Sequence, residues 1–441
     1  MTTMPTSIPP LQDPAAAGRE MHALAADLFP ICRSITGNGV RETLKRLSAL
    51  APMSIREVPT GAPLLDWTAP KEWTIRDAWI KDPSGRKIVD FRASNLHVAG
   101  YSIPVRRKIP LAELQQHLHS LPDHPDWIPY RTNYYGEDWG FCLAHRVRSA
   151  LADGTYEVCI DSTLDAGSLT YGELVLPGAG PGEILVTAHV CHPSLADDNL
   201  SGLVVAAFLA RHLKDTERRL TLRFLFIPGT IGSIAWLALN ETAVSRVRHG
   251  LVLACVGDAA PFTYKRSRRG DAPVDRAVAH LLKHRPGGGR LVDFSPYGYD
   301  ERQFNSPGFN LPVGCLMRSM YGTFPEYHTS ADNLDFVKPT SLAESAGLVL
   351  DVLDVLENNR RFLNLNPKGE PQLGRRGLYS WIGGQNDKAA AQMALLWVLN
   401  LSDGRHSLLD IAERADLPFP AIRNAAAQLQ ERGLLNEVEE A

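Results

Sequence analysis

The sequence predicts an α/β protein in which a sheet is flanked by helices, and three segments carry that prediction. Residues 183–188, 220–228 and 251–258 are short, mainly apolar runs of the kind that form buried strands. A polar turn follows the first run, and residues 202–210 then form an apolar stretch typical of a helix. Open α/β sheets bind ligands beyond the carboxyl ends of their strands, which is where this polar turn is expected.

The first third of the chain predicts a short tail, two helices and a separate β-rich region. Residues 1–17 are rich in Pro, Ala and Thr and lack the pattern of a secretory signal, so we expect them to be disordered. Residues 18–51 contain two segments with helical periodicity. Residues 52–165 contain many Pro and Trp residues, and the segments 73–81 and 87–91 alternate like the strands of a hairpin. We therefore predict that residues 52–165 form an inserted β-rich domain.

The remainder divides into a main domain and a small C-terminal module. Residues 166–365 are expected to join residues 18–51 in one α/β domain, while residues 366–441 have the helix-turn-helix-wing pattern of a winged helix. From Arg405 onward there are four Arg and seven Asp or Glu residues, a balance of −3. Proteins that bind a phosphate backbone need the opposite charge. We therefore expect protein contacts, such as a homo-oligomer formed through this module, and not nucleic-acid binding.

Composition excludes several classes of protein. The whole chain has 46 Lys and Arg against 49 Asp and Glu, so no global field favours nucleic acid or an anionic membrane. The six cysteines are scattered without a Cys-x-x-Cys pair, which argues against a disulfide scaffold and a cysteine zinc cluster. No apolar run approaches the roughly 20 residues that a membrane helix needs. We expect a cytoplasmic protein without a membrane partner.

The polar turn after residues 183–188 contains residue types that bind metals. His189 ends the predicted strand, and Asp197 and Asp198 lie just before Asn199-Leu200-Ser201-Gly202. Imidazole and carboxylate groups are ligands for a divalent metal such as zinc. The same residues also occur in polar packing and helix caps. The turn alone therefore leaves a metal site and a structural turn as alternatives.

The segment 196–202, following a strand-end histidine, resembles the signature of the co-catalytic zinc aminopeptidases. It is closer to a bacterial subfamily of aminopeptidase-like proteins of uncharacterised substrate, with which it shares His-x-Cys-His-Pro-Ser-Leu-Ala-x-Asp-Asn-Leu-Ser-Gly. The resemblance covers nearly the whole chain. It implies a zinc-aminopeptidase-like mixed sheet flanked by helices, an inserted β-rich domain and a C-terminal winged helix.

The resemblance also implies a set of metal ligands. His189 corresponds to the family's first zinc ligand and Asp198 to the carboxylate that bridges two ions. The pattern Tyr-His-Thr-x-x-Asp at residues 327–332 resembles the last ligand segment, which makes His328 a ligand with Asp332 behind it. Two imidazoles and a carboxylate with an open fourth position form the usual layout of a catalytic zinc. We expect one Zn²⁺ ion, with two as the alternative.

One position departs from the family pattern. The zinc aminopeptidases have two adjacent glutamates after the strand at 220–228, the first as general base and the second as a zinc ligand. This chain has Pro228-Gly229 or Gly229-Thr230 at the aligned positions. Neither pair offers a carboxylate. The general base is therefore unassigned, and the case for a second metal ion is weaker.

Other carboxylates are candidates for these roles. Glu301, Glu326 and Asp300, in that order, are our candidates for the general base, because they lie near the family's conserved turns. Asp258 ends the strand predicted at 251–258, and it either binds metal or caps the next turn.

Two further segments are candidates for substrate binding. Residues 128–141 are dense in aromatic side chains, which either pack the β-rich domain or face the substrate. In the second case Arg131 binds an anionic group and Tyr130 shapes the pocket. His192, three residues after His189, is a metal ligand, an oxyanion donor or part of a hydrogen-bonded turn.

The leading hypothesis is a zinc-dependent amide or peptide hydrolase that acts on a small peptide or an amide-bearing metabolite. The absent glutamate motivates a first alternative, a catalytically degenerate protein that binds metal or ligand without turnover. The C-terminal module motivates a second, a winged-helix regulator with an aminopeptidase-like sensor domain.

Overall fold

The structure is a computed structural model that describes residues 8–378 and 386–438. Its helices are α1 Pro14–Leu28, α2 Asn38–Leu50, α3 Leu111–Leu114, α4 His145–Ser149, α5 Gly202–His212, α6 Ile231–Leu239, α7 Glu241–Val244, α8 Pro273–His284, α9 Glu301–Phe304, α10 Pro339–Asn358, α11 Asn386–Leu401, α12 Leu408–Ala415 and α13 Phe419–Glu431. Its strands are β1 Ser54–Pro59, β2 Pro63–Leu64, β3 Trp67–Thr68, β4 Glu72–Lys81, β5 Lys87–Asp90, β6 Val105–Pro110, β7 Leu118–His119, β8 Phe141–Cys142, β9 Thr155–Asp165, β10 Ser168–Leu176, β11 Glu183–His189, β12 Thr221–Ile227, β13 Val247–Leu253, β14 Thr263–Lys265, β15 Arg290–Val292, β16 Val313–Met317, β17 Arg361–Asn364, β18 Asp403–Ser407 and β19 Leu435–Val438.

An eight-stranded mixed sheet in the order β1-β10-β12-β11-β13-β16-β14-β15 organises the main domain. Its four central strands are parallel, and antiparallel neighbours join them on both sides. Alternate residues of the central strands enter different cores: Val186 and Leu251 pack with α1, α5 and α10, whereas Leu185 and Val252 pack with α6. Helices therefore cover both faces, which confirms the predicted mixed sheet flanked by helices.

The inserted domain is built on the antiparallel sheet β5-β4-β9-β6. The hairpin predicted from residues 73–91 is confirmed as β4 and β5. The predicted start of the insertion at residue 52 is too early. Strand β1 pairs with β10 and so completes the edge of the main sheet, and Val58 on this strand is buried.

The prediction of a disordered N-terminus is wrong for residues 8–17. Helix α1 begins at Pro14, because the Asp13 carboxylate accepts a hydrogen bond from the Ala16 N–H and proline fits the first turn. Ile8 is also buried in the main core. Residues 1–7 lie outside the described residues.

The C-terminal module has the predicted helix-turn-helix-wing arrangement, with α11, α12 and α13 packed on the sheet β18-β17-β19. It begins earlier than residue 366, because β17 pairs with β18 and β19. Apolar side chains of the module share one core with α10. Within the described part of the chain, no helix is long and apolar enough to cross a membrane.

Candidate metal centre

The three predicted ligands converge beyond the carboxyl end of β11. His189 is the last residue of that strand, and its Nε2 lies 2.8 Å from Oδ1 of Asp198. His328 approaches from a distant loop, with Nε2 2.9 Å from the other oxygen, Oδ2. Asp198 is only 1% exposed, so its carboxylate is buried between two imidazoles. Both nitrogens therefore contact the same carboxylate, and imidazole and carboxylate groups are common zinc ligands.

His192 joins this group as a third imidazole. Its Nδ1 lies 3.5 Å from Oδ2 of Asp198 and is buried without a hydrogen-bond partner among the described residues. The ligand atoms of His189, His192 and Asp198 all lie within 4.8 Å of one another. Buried polar atoms normally have partners, so an unpaired nitrogen directed at a carboxylate fits a metal position. Of the three alternatives for His192, the geometry favours a metal ligand.

The protonation of the site also fits a metal. Burial lowers the pKa of His189 to about 4, although the hydrogen bond with Asp198 raises it. Burial also lowers the pKa of His328. For Asp198, burial raises the pKa, but the electrostatic interaction with His192 and the hydrogen bonds with His189, His192 and His328 together hold it well below its usual range. Neutral imidazoles and an ionised carboxylate are the forms that bind metal ions.

Asp332 holds the turn that carries Asp198. Its carboxylate accepts backbone hydrogen bonds from Ala196 at 3.1 Å, Asp197 at 2.6 Å and Asp198 at 3.0 Å. The sequence placed Asp332 behind His328. The structure instead connects it to the backbone of residues 196–198, where it fixes the direction of the Asp198 side chain.

Arg33 was missed by the sequence analysis. Its buried guanidinium donates to the carbonyl oxygens of His192 at 2.7 Å, Pro193 at 2.8 Å and Leu28 at 2.7 Å. A buried charge needs such partners. Arg33 therefore anchors the turn that presents His192, and a lone arginine in the turn before α2 gave no sequence signal for this role.

Asp258 is a turn cap. Its Oδ1 accepts a hydrogen bond from the Ala260 N–H at 2.6 Å, and its Oδ2 accepts one from the Ser319 N–H at 2.9 Å. Both oxygens are therefore engaged by backbone donors. The prediction of Asp258 as a metal ligand is replaced by the capping alternative.

Glu301 is engaged by buried partners, and Asp300 is engaged through its Oδ1 while its Oδ2 has no partner among the described residues. Glu301 is fully buried, and its Oε1 accepts hydrogen bonds from Nζ of Lys265 and from the Tyr321 hydroxyl, both at 2.9 Å. Asp300 accepts a hydrogen bond from Oγ of Ser233 at 2.9 Å. No imidazole of the site contacts either carboxylate among the described residues. The prediction that Glu301 or Asp300 is the base is therefore not supported by the geometry.

Glu326 is the remaining candidate for the base. It is half-buried and lies two residues before His328. Its carboxylate has no ion pair or hydrogen bond among the residues that the structure describes, so no other side chain engages it. Its role as general base stays a prediction.

Tyr299 occupies the space beside Gly229. A Cβ atom at position 229 would overlap the Tyr299 ring, so no larger side chain fits there without displacing it. The same ring stacks on His189, with 3.8 Å between centroids. Its hydroxyl lies 3.2 Å from Nε2 of His192 and 3.3 Å from Sγ of Cys191. Sequence analysis missed Tyr299, although a glycine in place of glutamate signals that another group fills the space.

Aromatic side chains of the insertion line one side of the centre. The ring of Tyr130 packs edge-on against His192 and His328, at 5.2 and 5.0 Å between centroids. Its hydroxyl lies 2.8 Å from that of Tyr134, and the Tyr130 N–H donates to the His328 carbonyl at 2.7 Å. Tyr130 therefore lies beside the site, and its role in shaping a substrate pocket stays a prediction. Arg131 is exposed on the same loop, and its substrate contact stays a prediction.

Further aromatic side chains connect Tyr134 to the surface of the protein. Tyr134 contacts Tyr135, which contacts Trp67 at 5.5 Å between centroids. Tyr135 and Trp67 are 58% and 47% exposed. Exposed aromatic rings next to a polar site are a common feature of ligand recognition.

Comparison with known proteins decides the family. Residues 22–359 match the protein family described as domain of unknown function DUF4910. The chain belongs to this family. Residues 360–437 match a second family, described as winged helix-turn-helix, which confirms the predicted C-terminal module.

Individual relatives agree with this assignment. A Clostridium acetobutylicum protein described as a candidate polysaccharide biosynthesis protein with an aminopeptidase-like domain is 49% identical over 428 residues, which cover 97% of this chain and 98% of the relative. The crystal structure of a candidate peptidase from Clostridium acetobutylicum superposes with a TM-score of 0.92 at 48% identity, covering 97% of this chain and 98% of that one.

The wider fold group is that of the zinc aminopeptidases. BSAP, a zinc aminopeptidase from Bacillus subtilis, superposes with a TM-score of 0.55 at 14% identity, over 76% of this chain and 94% of that one. Similarity at this identity shows the fold. It confirms the aminopeptidase-like architecture that the motif at residues 196–202 predicted.

Proposed function

We propose that this protein is a zinc-dependent hydrolase of amide or peptide bonds. The observation that carries the proposal is the convergence of three imidazoles on the one buried carboxylate of Asp198. His189, Asp198, His328 and His192 would hold the ion. Bound there, zinc would supply a Lewis acid for an amide carbonyl and lower the pKa of water.

The residues around the centre would supply the general base, bind the substrate and hold the ligands in place. Glu326, with its carboxylate free, would take the proton from the attacking water. Tyr130 would form the wall against which the substrate lies, and Arg131 would bind an anionic group on it. Asp332 and Arg33 bind the backbone of the two turns that carry Asp198 and His192, and so hold these side chains in position.

The substrate is a small peptide or an amide-bearing metabolite. The relative from Clostridium acetobutylicum is named for polysaccharide biosynthesis. The exposed pair Trp67 and Tyr135 could stack on a sugar ring or a similar flat group. A useful test panel therefore combines aminoacyl amides, dipeptides and N-acetylated amino sugars.

The decisive experiment compares two variants on that panel with zinc content measured in parallel. His328→Ala is expected to lose both zinc and turnover, because it removes a ligand. Glu326→Gln is expected to keep zinc and lose turnover by roughly 10²–10⁴-fold, the usual contribution of a general base. Matched controls are the distant His406→Ala and the exposed Glu217→Gln. Full turnover in His328→Ala would refute the proposal.

A non-catalytic binding protein is the second candidate, and Gly229 in place of the family glutamate favours it. It predicts that a member of the panel binds the zinc-loaded protein without being cleaved. Isothermal calorimetry followed by mass spectrometry of the same sample separates the two functions.

A further inference from the structure

We infer that the protein holds a single metal ion and that Tyr299 occupies the place of a second one while it fixes His192 as a ligand. The inference requires the proposed metal centre but not amide hydrolysis. A single ion agrees with the one Zn²⁺ expected from the sequence and differs from the two-ion arrangement of the family that the chain resembles.

Positions 229 and 230 themselves offer no carboxylate for a second ion. Gly229 has no side chain, and Oγ1 of Thr230 lies 3.4 Å from the side-chain amide of Gln303. Among the described residues, the group of His189, His192 and Asp198 is the one cluster of potential metal ligands. Asp258 and Glu301 are held by other partners, and one oxygen of Asp300, Oδ1, accepts a hydrogen bond from Ser233.

The Tyr299 ring fills the space that a side chain at position 229 would occupy. The Tyr299 ring lies against Gly229 and stacks on His189, so it separates this position from the imidazole cluster. The backbone of Tyr299 is itself fixed, because its N–H donates to Oε2 of Glu301 at 3.1 Å. Glu301 is in turn paired with the buried Lys265. The half-buried ring is therefore connected through its backbone to a buried ion pair.

The Tyr299 hydroxyl suits the second nitrogen of His192. An imidazole that binds metal through Nδ1 carries its proton on Nε2, and that N–H needs an acceptor. The Tyr299 oxygen lies 3.2 Å from Nε2 and can accept this proton while its own O–H donates to Sγ of Cys191 at 3.3 Å. Sγ of Cys191 lies 3.9 Å from the Gly229 carbonyl, which completes the chain. Tyr299 is thus a positioning residue that directs Nδ1 towards Asp198.

Metal counting tests the first part of the inference. The full-length protein is stripped with chelator, loaded with Co²⁺ or Zn²⁺, separated from free metal and analysed by mass spectrometry. One ion per chain at saturation is expected. Two ions per chain would overturn the inference but leave the proposed hydrolase standing. No bound ion would overturn the proposed hydrolase itself.

Two variants test the second part. Tyr299→Phe keeps the ring but removes the hydroxyl, so it should still bind one ion, with a 10–100-fold weaker affinity, as is typical when a partner of a ligand is lost. His192→Ala should weaken binding further and change the visible spectrum of bound Co²⁺. The control Tyr297→Phe alters a 74% exposed tyrosine two residues away and should change neither. Unchanged affinity and spectrum in Tyr299→Phe or His192→Ala would overturn the assignment, and melting temperatures monitor folding throughout.

Discussion

At the residue scale, Asp300 shows how burial changes a side chain that the sequence offered as a catalyst. Burial raises its pKa to about 7, although the hydrogen bond from Ser233 lowers it, and its Oδ2 has no partner among the described residues. The folded state therefore binds this proton more tightly than the unfolded chain does. Its stabilising contribution is complete below about pH 4 and is lost as pH rises through about 7.

Asp300→Asn should remove this pH dependence. The amide oxygen still accepts from Ser233, but no charge is buried at high pH. We compare the difference in unfolding free energy, variant minus parent, at the two pH values. This difference should be larger at pH 8 than at pH 5 by roughly 1–3 kcal/mol, since one pKa unit corresponds to about 1.4 kcal/mol. Urea denaturation at both pH values measures this. The exposed Asp66→Asn is the control, and an equal difference at both pH values would contradict the account.

At the element scale, the turn Ala196–Ser201 depends on a residue more than 130 positions away. Asp332 accepts hydrogen bonds from three successive backbone N–H groups, all of them buried. The donors come from the turn and the acceptor from the loop that carries His328. This contact therefore couples the two halves of the metal centre.

Asp332→Ala should disturb both stability and metal binding. Leaving buried donors unpaired costs about 1–3 kcal/mol each, and with partial relaxation we expect a loss of about 3–5 kcal/mol in unfolding free energy. Metal affinity should fall about 10–100-fold, because Asp198 is no longer directed. Denaturation and competition with a chromogenic chelator measure these effects. Asp335→Ala, exposed on the same loop, should leave both values unchanged, and a stable Asp332→Ala protein with full affinity would disprove the coupling.

At the scale of the whole molecule, the acidic winged helix is docked on the main domain. Arg276 of α8 pairs with Asp410 at 2.6 Å and also with Glu413, while Lys283 pairs with Asp416 at 2.7 Å. The last helix of the module, α13, is held as well, through an ion pair between Arg423 and Asp354 of α10. In a winged helix that binds nucleic acid, α13 would face the duplex. Here Arg423 of this helix is instead paired with Asp354 of the same chain.

This docking argues against the regulator hypothesis. Without an excess of positive charge the module should not release counterions from a duplex, so gel retardation at low salt should show no complex whose affinity falls with added salt. A 200-base-pair random duplex is a suitable probe, because backbone binding does not depend on sequence. A salt-sensitive complex that disappears in Arg423→Ala would revive the hypothesis. A homo-oligomer formed through this module stays a prediction. Light scattering would test it by measuring the molar mass of the protein in solution.

Patterns within short segments were sufficient to predict several parts of this protein. Alternating and apolar patterns predicted the central strands, the β4–β5 hairpin and the helices of the C-terminal module. The resemblance of residues 196–202 and 327–332 to the zinc aminopeptidases implied His189, Asp198 and His328, three side chains that the fold brings together. Local patterns are sufficient for these because strand burial, helix caps and a strand-end turn depend on residues that are near in sequence.

The partners of the other candidate carboxylates became visible in the three-dimensional structure. Backbone donors engage Asp258, which the sequence offered as a metal ligand or a cap, while Lys265 pairs with Glu301 and Ser233 donates to Asp300, two of the three candidates for the base. The positions of Tyr299, Asp332 and Arg33 depend on contacts across distant segments. Such contacts fix the charge and direction of a side chain through its buried partners, and no pattern within one segment shows which partner the fold will supply.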